Sequence, residues 1–312
     1  MPAFCTHYIF LDEMTEYLEE NSNFRFYKEA AQIGTQGPDI FFFSGVIPFL
    51  MPGHMQFKTG SALHRAKPSE IFEAFAEYCK FSPNTDIAKS YIYGFILHYA
   101  LDRNCHPYVY SLQNRILQKN RHIHRSSAHN RIETAMDTYL LSKRKNIADT
   151  RDFDSAKTLE AGQEVIDEIA HLLSFVTSEV TAHCPSKHDI KRAVSDTILM
   201  QKILRDKHRI TELLCRAAEM ITGPFCGYYK FSSMIRPKDL EKAKKYANIE
   251  NAKWTSPYSG EESTLSFEDL FLHSKEDAMR LINGFEMLCR GCSDGYKVTN
   301  NLSFLTGTEI RQ

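Results

Sequence analysis

The sequence predicts an all-α protein, because apolar residues recur at helical spacing along most of its length. The clearest stripe joins Val165, Ile169, Leu172 and Val176, which lie on one helix face. No alternating polar and apolar run with hairpin turns, the pattern of a β-strand, stands out. Similar stripes are found at residues 9–18, 71–75, 194–214 and 267–285. We therefore expect a helical bundle.

The segment GFILHYALDRNCHP places His98, Asp102 and His106 four residues apart. Residues at this spacing share one face of a helix, and imidazole with carboxylate is a common ligand set for zinc. The surrounding residues are apolar, so the helix should be buried and its charges should need a partner. Gly94 leaves room for close approach on the same face. Because Pro107 follows His106, we expect the helix to end there.

A second pair, His129 and Glu133, has the same spacing in AHNRIETAMD. It is expected to open a helix that Ser126 or Ser127 caps. Two helices that each bring a histidine and a carboxylate suggest a metal cluster between the helices of the bundle. A structural charge pair without metal is the alternative.

The composition of the chain indicates the compartment in which the protein is located and the kinds of partner that it binds. The chain has 312 residues and a formal net charge of −1, which predicts no strong attraction to nucleic acid or anionic membranes. It has no apolar run of 18 residues, and its first residues lack the features of a secretory signal. Eight scattered cysteines, with Cys289 and Cys292 as the one CxxC pair, suggest reduced thiols. We expect a cytoplasmic protein of unknown oligomeric state.

We expect one all-α domain over residues 1–312, with a metal-bearing part at 1–145 and additional helices at 146–312 packing on it. Two stretches rich in glycine and proline, 36–63 and 222–263, are expected to be irregular. The second contains Trp254 among other aromatic residues and is either a substrate lid or a packing segment. Its other aromatic residues are Phe225, Tyr228, Tyr229 and Tyr258.

Five segments in order, THYIF, GPDIFFF, GSALH, GFILHYALDRNCHP and HNRIETAMD, resemble the zinc-dependent phospholipase C family. That family is related to the zinc nucleases that cut single-stranded nucleic acid. The resemblance covers roughly residues 1–145. It implies an all-α bundle with a cluster of two or three zinc ions, and an enzyme that cleaves phosphate esters.

The resemblance also implies which residues bind metal. A paired-metal site would be formed by Asp39, His64, His98 and Asp102, with Asp102 bridging toward a third metal. Another zinc would be held by His106, His129 and Glu133. His7 would bind the third metal together with the chain's N-terminus.

Two positions in this assignment are open. His54 competes with His64 as the imidazole ligand, and we prefer His64 because GSALH matches the family segment, whereas His54 is expected in a loop. Secreted members bind zinc through an N-terminal tryptophan that this sequence lacks, so His7 could have another partner. Asp39 is expected to orient or deprotonate the attacking water as the catalytic residue. Tyr93, Tyr99, Asn104 or Asp137 are expected to support the ligands.

The sequence thus favours a zinc-dependent phosphoesterase, similar to phospholipase C, that hydrolyses phosphodiester bonds in phospholipid head groups or other phosphate esters. A zinc nuclease is one alternative, although the near-neutral charge argues against a nucleic-acid substrate. An HD-type phosphohydrolase is a second, although the only His-Asp dipeptide, His188-Asp189, lies far from the other candidates. A non-catalytic helical protein with a structural zinc site is the third.

Overall fold

The structure is a computed structural model that describes residues 4–44, 54–222 and 230–310, without the side chains of 54–57 and 222. The described chain is helical almost throughout, which confirms the all-α prediction. Its α-helices are α1 (Phe4–Asn21), α2 (Lys28–Gly34), α3 (His54–Arg65), α4 (Pro68–Tyr78), α5 (Thr85–Lys119), α6 (Arg125–Lys145), α7 (Gln163–Val180), α8 (Lys187–Arg205), α9 (Ile210–Thr222), α10 (Leu240–Lys244), α11 (Phe267–Cys289) and α12 (Gly295–Thr299). Short 3₁₀ helices span Gly37–Phe42, Thr150–Asp152, Ser155–Leu159 and Phe231–Met234. Two-residue strands β1 (Trp254–Thr255) and β2 (Glu262–Ser263) pair antiparallel, with Trp254 opposite Ser263.

The centre of the bundle is α5, a helix of 35 residues that is buried on nearly all sides between positions 87 and 109. Helices α2, α6, α7 and α11 pack around it. Gly94 allows the closest crossing, because a Cβ at this position would lie 2.2 Å from the carbonyl oxygen of Ala31 in α2. The close approach predicted from Gly94 is therefore confirmed, and it is made by the backbone of α2.

The predicted end of this helix at His106 is wrong, because α5 continues through Pro107 to Lys119. Proline cannot donate the hydrogen bond that the carbonyl of Arg103 would otherwise accept. The C-terminal segment covers this break: a Cβ on Gly307 would lie 2.5 Å from that carbonyl oxygen and 3.2 Å from Pro107 Cγ. His106 thus stays in helical register with the residues one and two turns before it.

The predicted cap of α6 is also wrong. The N-cap residue is His124, whose ring Nδ1 accepts a hydrogen bond from the backbone N–H of Ser126 at 3.2 Å. Nδ1 of a neutral imidazole is an acceptor when the proton is on Nε2, so a histidine can replace the usual serine here. The helix begins two or three residues earlier than predicted, and His129 and Glu133 lie in its first three turns.

The two stretches expected to be irregular contain more structure than predicted. Residues 37–42 form a 3₁₀ helix, and α3 begins at His54, so the loop predicted at His54 is wrong. In the second stretch, Trp254 is buried against Tyr108 with ring centroids 5.2 Å apart, and its Nε1 donates to the carbonyl of Leu265. These contacts favour packing over a lid for this part. Phe225, Tyr228 and Tyr229 lie outside the described residues.

No described helix is both long enough and apolar enough to span a membrane.

Candidate metal centre

All eight residues that the sequence predicted as ligands lie around one buried cluster. They come from α1, the 3₁₀ helix at 37–42, α3, α5 and α6, and none is more than 9 % exposed. The ligand atoms form three groups, each lying within 4.8 Å of one another. The groups are His7, Asp39 and His98; His64, His98 and Asp102; and His106, His129 and Glu133.

Asp102 is the centre of the cluster, because four imidazoles surround its carboxylate. Its Oδ2 lies 3.2 Å from His98 Nε2, 3.8 Å from His64 Nε2 and 3.7 Å from His106 Nδ1. Its Oδ1 lies 3.4 Å from His7 Nε2. This carboxylate belongs to the second group, and its contacts with His7 and His106 place it next to the first and the third.

The other two carboxylates mark the two ends of the cluster. Asp39 Oδ1 lies 3.3 Å from His64 Nε2. At the other end, Glu133 Oε1 lies 3.1 Å from His129 Nε2 and 3.5 Å from His106 Nε2. The arrangement agrees with the two pairs that the spacing in α5 and α6 predicted.

Backbone carbonyls fix the ring orientation of three of the histidines. The Nδ1–H groups donate from His64 to Gly60 at 2.8 Å, from His98 to Thr35 at 3.0 Å and from His106 to Phe304 at 2.6 Å. A carbonyl only accepts, so each Nδ1 carries a proton, and when the ring is neutral the lone pair of Nε2 faces a carboxylate. At such a contact the Nε2 lone pair and a carboxylate oxygen repel each other unless a proton or a metal ion lies between them.

This donor set fits a metal ion. His98 Nε2 is fully buried and, within the described residues, has no hydrogen-bond partner. The usual environment of zinc in proteins consists of carboxylate oxygens and of imidazole rings in which a carbonyl holds one nitrogen and the other nitrogen binds the metal. The residues present therefore suit zinc.

The GPD triplet explains how Asp39 reaches the cluster beside His98. Gly37 has φ +49°, and a Cβ there would lie 2.5 Å from His98 Cδ2 and 2.9 Å from its Nε2. Only glycine lets the backbone pass so close to the imidazole at this positive φ. Pro38 then favours the start of the 3₁₀ helix, and Asp39 lies in the first turn of that helix.

Asp137 holds the beginning of α1, and therefore His7. Its carboxylate accepts hydrogen bonds from the backbone N–H of Cys5 at 3.1 Å and of Thr6 at 2.8 Å, and from the Thr6 hydroxyl at 2.7 Å. Such bonds satisfy N–H groups that a helix start otherwise leaves without a partner. Asp137, one turn beyond Glu133 on α6, thus fixes α1 against α6.

The other expected supporting residues point elsewhere, and those predictions are wrong. The Tyr93 hydroxyl donates to Glu286, the Tyr99 hydroxyl donates to the carbonyl of Leu302, and Asn104 donates to Asp277. Sequence analysis missed the residues that do contact the ligands. They are Thr35, Gly60 and Phe304 through their carbonyls, and Gln113, whose Oε1 lies 3.1 Å from His129 Nδ1.

In the protein without metal, the cluster balances its own charge. Burial lowers the pKa of His106, but the charges of Asp102 and Glu133 outweigh burial and raise it to about 9. Burial likewise opposes ionisation of Asp102 and Glu133, yet the neighbouring histidines hold both carboxyl pKa values well below the ordinary range. For His7, burial and then the charge of His98 lower the pKa. Metal binding would replace these protons.

Two competing candidates find less support. His64 lies in the cluster, whereas the side chain of His54 lies outside the described part of the structure. The His188-Asp189 dipeptide is in the first turn of α8, where Asp189 and Ser186 form a capping box and His188 is exposed. Asp189 thus has a structural role, which argues against an HD-type site at this dipeptide.

Comparison with known proteins identifies one related family. A family model described as zinc dependent phospholipase C matches residues 6–184, which is more than half of the chain and includes all eight residues of the cluster. No curated protein and no solved structure gives a match.

Proposed function

We propose, on the premise that this chain belongs to the zinc dependent phospholipase C family, that it is a zinc-dependent phosphoesterase acting on phospholipid head groups. One observation carries the proposal. Three groups of buried imidazoles and carboxylates lie together around Asp102, the first two share His98, and carbonyl oxygens hold the rings of His64, His98 and His106 so that their free nitrogens face carboxylates.

We propose that the first two groups hold a pair of zinc ions and that His106, His129 and Glu133 hold another. When bound, zinc polarises phosphate oxygens and lowers the pKa of water. Among the described residues, the third group offers three ligands and the first two together offer five for two ions, because His98 has one free nitrogen, whereas structural zinc sites are normally closed by four ligands per ion. An open coordination position supports the enzyme over a structural zinc protein.

Asp39 is the proposed catalytic residue. Burial raises the pKa of its carboxyl, but nearby positive charges, those of His64 and His98 among them, and a hydrogen bond from His64 outweigh burial and bring the pKa below the ordinary range. Asp39 is therefore ionised at neutral pH and can orient the attacking water or accept its proton. The carboxylate could serve as ligand, as base, or as both, and a conservative amide separates these roles.

The substrate is proposed to approach beside His129, the most exposed member of the cluster, whose side chain is 11 % exposed. Tyr110 lies against His129 and His106, with ring centroids 5.1 Å and 5.7 Å apart. Tyr258 meets Tyr110 edge to face at 5.4 Å and is partly exposed. This aromatic pair would border the leaving group, so part of residues 222–263 would contribute to binding.

The C-terminal helices belong to the same proposed unit. The carbonyl of Phe304 orients His106, and α11 packs along α5. We therefore propose one domain in which residues 146–312 complete the site begun by residues 1–145. The cytoplasmic location predicted from the sequence is part of this proposal, and cell fractionation tests it.

The test is hydrolysis of a chromogenic phosphodiester such as nitrophenyl phosphocholine. Activity should vanish with chelator and return with zinc. Asp39→Asn should lower turnover by roughly 10² to 10⁴ if the carboxylate acts as a base. Asp167→Asn, an exposed change on α7, is the matched control and should leave turnover unchanged.

Two outcomes would overturn the proposal. Full activity of Asp39→Asn would exclude the assigned site. No hydrolysis of any phosphodiester or phospholipid by zinc-loaded protein would favour the structural zinc protein. Loss of zinc from Asp39→Asn would show that this carboxylate is chiefly a ligand.

A further inference from the structure

Helix α9 turns its apolar side to solvent. Ile210, Leu213, Leu214, Met220 and Ile221 are all exposed, Leu213 by 68 % and Met220 by 79 %. A surface helix of a globular protein normally presents its apolar stripe to the core. Helix α9 does the reverse, and none of its described side chains is buried.

Polar contacts hold α9 in this orientation. Its first turn is capped by Asp206, which accepts from the backbone N–H groups of Thr211 and Glu212 at 2.9 and 3.0 Å. Near its end, Glu219 accepts from the backbone N–H of Ser232 at 2.6 Å and from its hydroxyl at 2.8 Å. The polar side of α9 is thus bound to the protein, and the apolar side remains available to a partner.

A cavity of about 1710 Å³ lies between α9 and helices α5, α6 and α10, and its lining is strongly basic. Three acidic residues line the cavity, and they are outnumbered by the exposed lysines and arginines of the same lining. Seven of the cations form no ion pair with a described residue: Arg115, Lys119, Arg131, Arg209, Lys230, Lys238 and Lys245. Met220, at the edge of the apolar side of α9, lines the same cavity beside Glu212, Arg216 and Glu219 of the polar side. The formal net charge of −1 conceals this local excess of positive charge.

The cavity is separate from the metal cluster. Arg131 and Thr134 line it from one side of α6, while His129 and Glu133 reach the cluster from another side of the same helix. Its cations therefore do not belong to the site described above.

We propose that the outward side of α9 and the cations beside it dock this protein on an anionic lipid surface. An amphipathic helix that offers apolar residues next to lysine and arginine binds bilayers by burying the apolar face and attracting anionic head groups. A second copy of the chain would bring the unpaired cations of both copies together, which is unfavourable. Nucleic acid would match the cations but leave the apolar side chains in water. Docking does not depend on phosphodiester hydrolysis.

The experiment is co-sedimentation with vesicles of one part phosphatidylglycerol to two parts phosphatidylcholine, with pure phosphatidylcholine as reference. Wild type should bind the anionic vesicles and release them at high salt. Leu213→Gln with Leu214→Gln should weaken binding by roughly tenfold or more, because less apolar surface enters the bilayer. Leu272→Gln, at another exposed leucine, on α11, should bind as wild type does.

The charge arm uses Arg209→Gln with Lys238→Gln, which should weaken binding by about 25-fold, at about fivefold for each cation near an anionic surface. The matched control is Lys157→Gln with Lys187→Gln, at exposed lysines outside the basic cavity. All variants should hydrolyse a water-soluble phosphodiester at the wild-type rate, so docking and catalysis are measured separately.

Three results would overturn the proposal. The first is absence of wild-type binding to anionic vesicles. The second is a concentration-dependent dimer that the leucine changes abolish, which would make a second copy the partner. The third is salt-sensitive binding to homopolymeric RNA that the leucine changes leave intact, which would assign the cations to a polyanion.

Discussion

Replacing Gly37 by alanine should disturb the metal centre without changing any ligand. The new Cβ would lie 2.5 Å from His98 Cδ2, whereas an ordinary contact is 3.4–4 Å. His98 is fully buried, so its ring must shift by about 1 Å or the backbone must move. Metal–ligand distances tolerate only about 0.2 Å of change.

The expected loss in zinc affinity is at least about 10- to 100-fold, which is the usual cost of disturbing a group that orients a ligand. Backbone strain adds to the loss of stability, because a non-glycine residue at φ +49° costs about 1–2 kcal/mol. The affinity is measured by competition with a chromogenic chelator, and bound zinc by elemental analysis.

Gly260→Ala is the matched control, because Gly260 also has a positive φ, +75°, but no heavy atom lies within 4 Å of the added Cβ. It should lose stability from strain and keep its zinc. If Gly37→Ala binds zinc as tightly as Gly260→Ala does, the proposed role of His98 as a ligand is refuted.

Three further predictions follow from the cluster. Elemental analysis should show that Asp102→Asn loses more than one equivalent of zinc and that His129→Ala loses one. Loss of all metal from His129→Ala would contradict separate sites. Verified removal of zinc should lower the melting temperature in calorimetry by about 6 °C per site. This value follows from a stabilisation of about 4 kcal/mol by zinc at thousandfold excess over Kd and an unfolding entropy of about 0.7 kcal/mol/K for 312 residues. An unchanged melting temperature would mean a peripheral site. In metal-free protein the pKa of His106 is raised to about 9, so its contribution to stability is complete below about 6.5 and is lost as pH rises through about 9. Urea unfolding should show this fall, and zinc-loaded protein should instead lose stability toward acid as protons compete for the ligands.

Local spacing predicted the parts of the site that lie on single helices. The pairs His98–Asp102 and His129–Glu133 depend only on four-residue spacing, so the sequence revealed them directly. The end of α5 was mispredicted because the preference of a residue before proline is local, and the packing of Gly307 against the break overrides it.

Contacts between distant segments could not be predicted in this way. The carbonyl of Phe304 lies 198 residues from His106 in the chain, and that of Thr35 lies 63 residues from His98. A backbone carbonyl carries no residue-type pattern, so only the folded chain reveals which one holds a ring. The Gly60 carbonyl, four residues before His64, could have been found from helical spacing.

The same limit applies to α9. Its apolar stripe predicted a helix correctly, but periodicity does not say which side faces the core. The division of the domain at residue 145 stays a prediction, because the contacts of Phe304 and α11 with α5 cross it.

The most direct test of the metal centre is the zinc content per chain, measured by elemental analysis on protein purified without chelator. The three ligand groups predict two or three zinc ions per chain. One zinc would indicate a structural site. No bound zinc, and none taken up on addition, would contradict the assignment of the cluster as a metal centre.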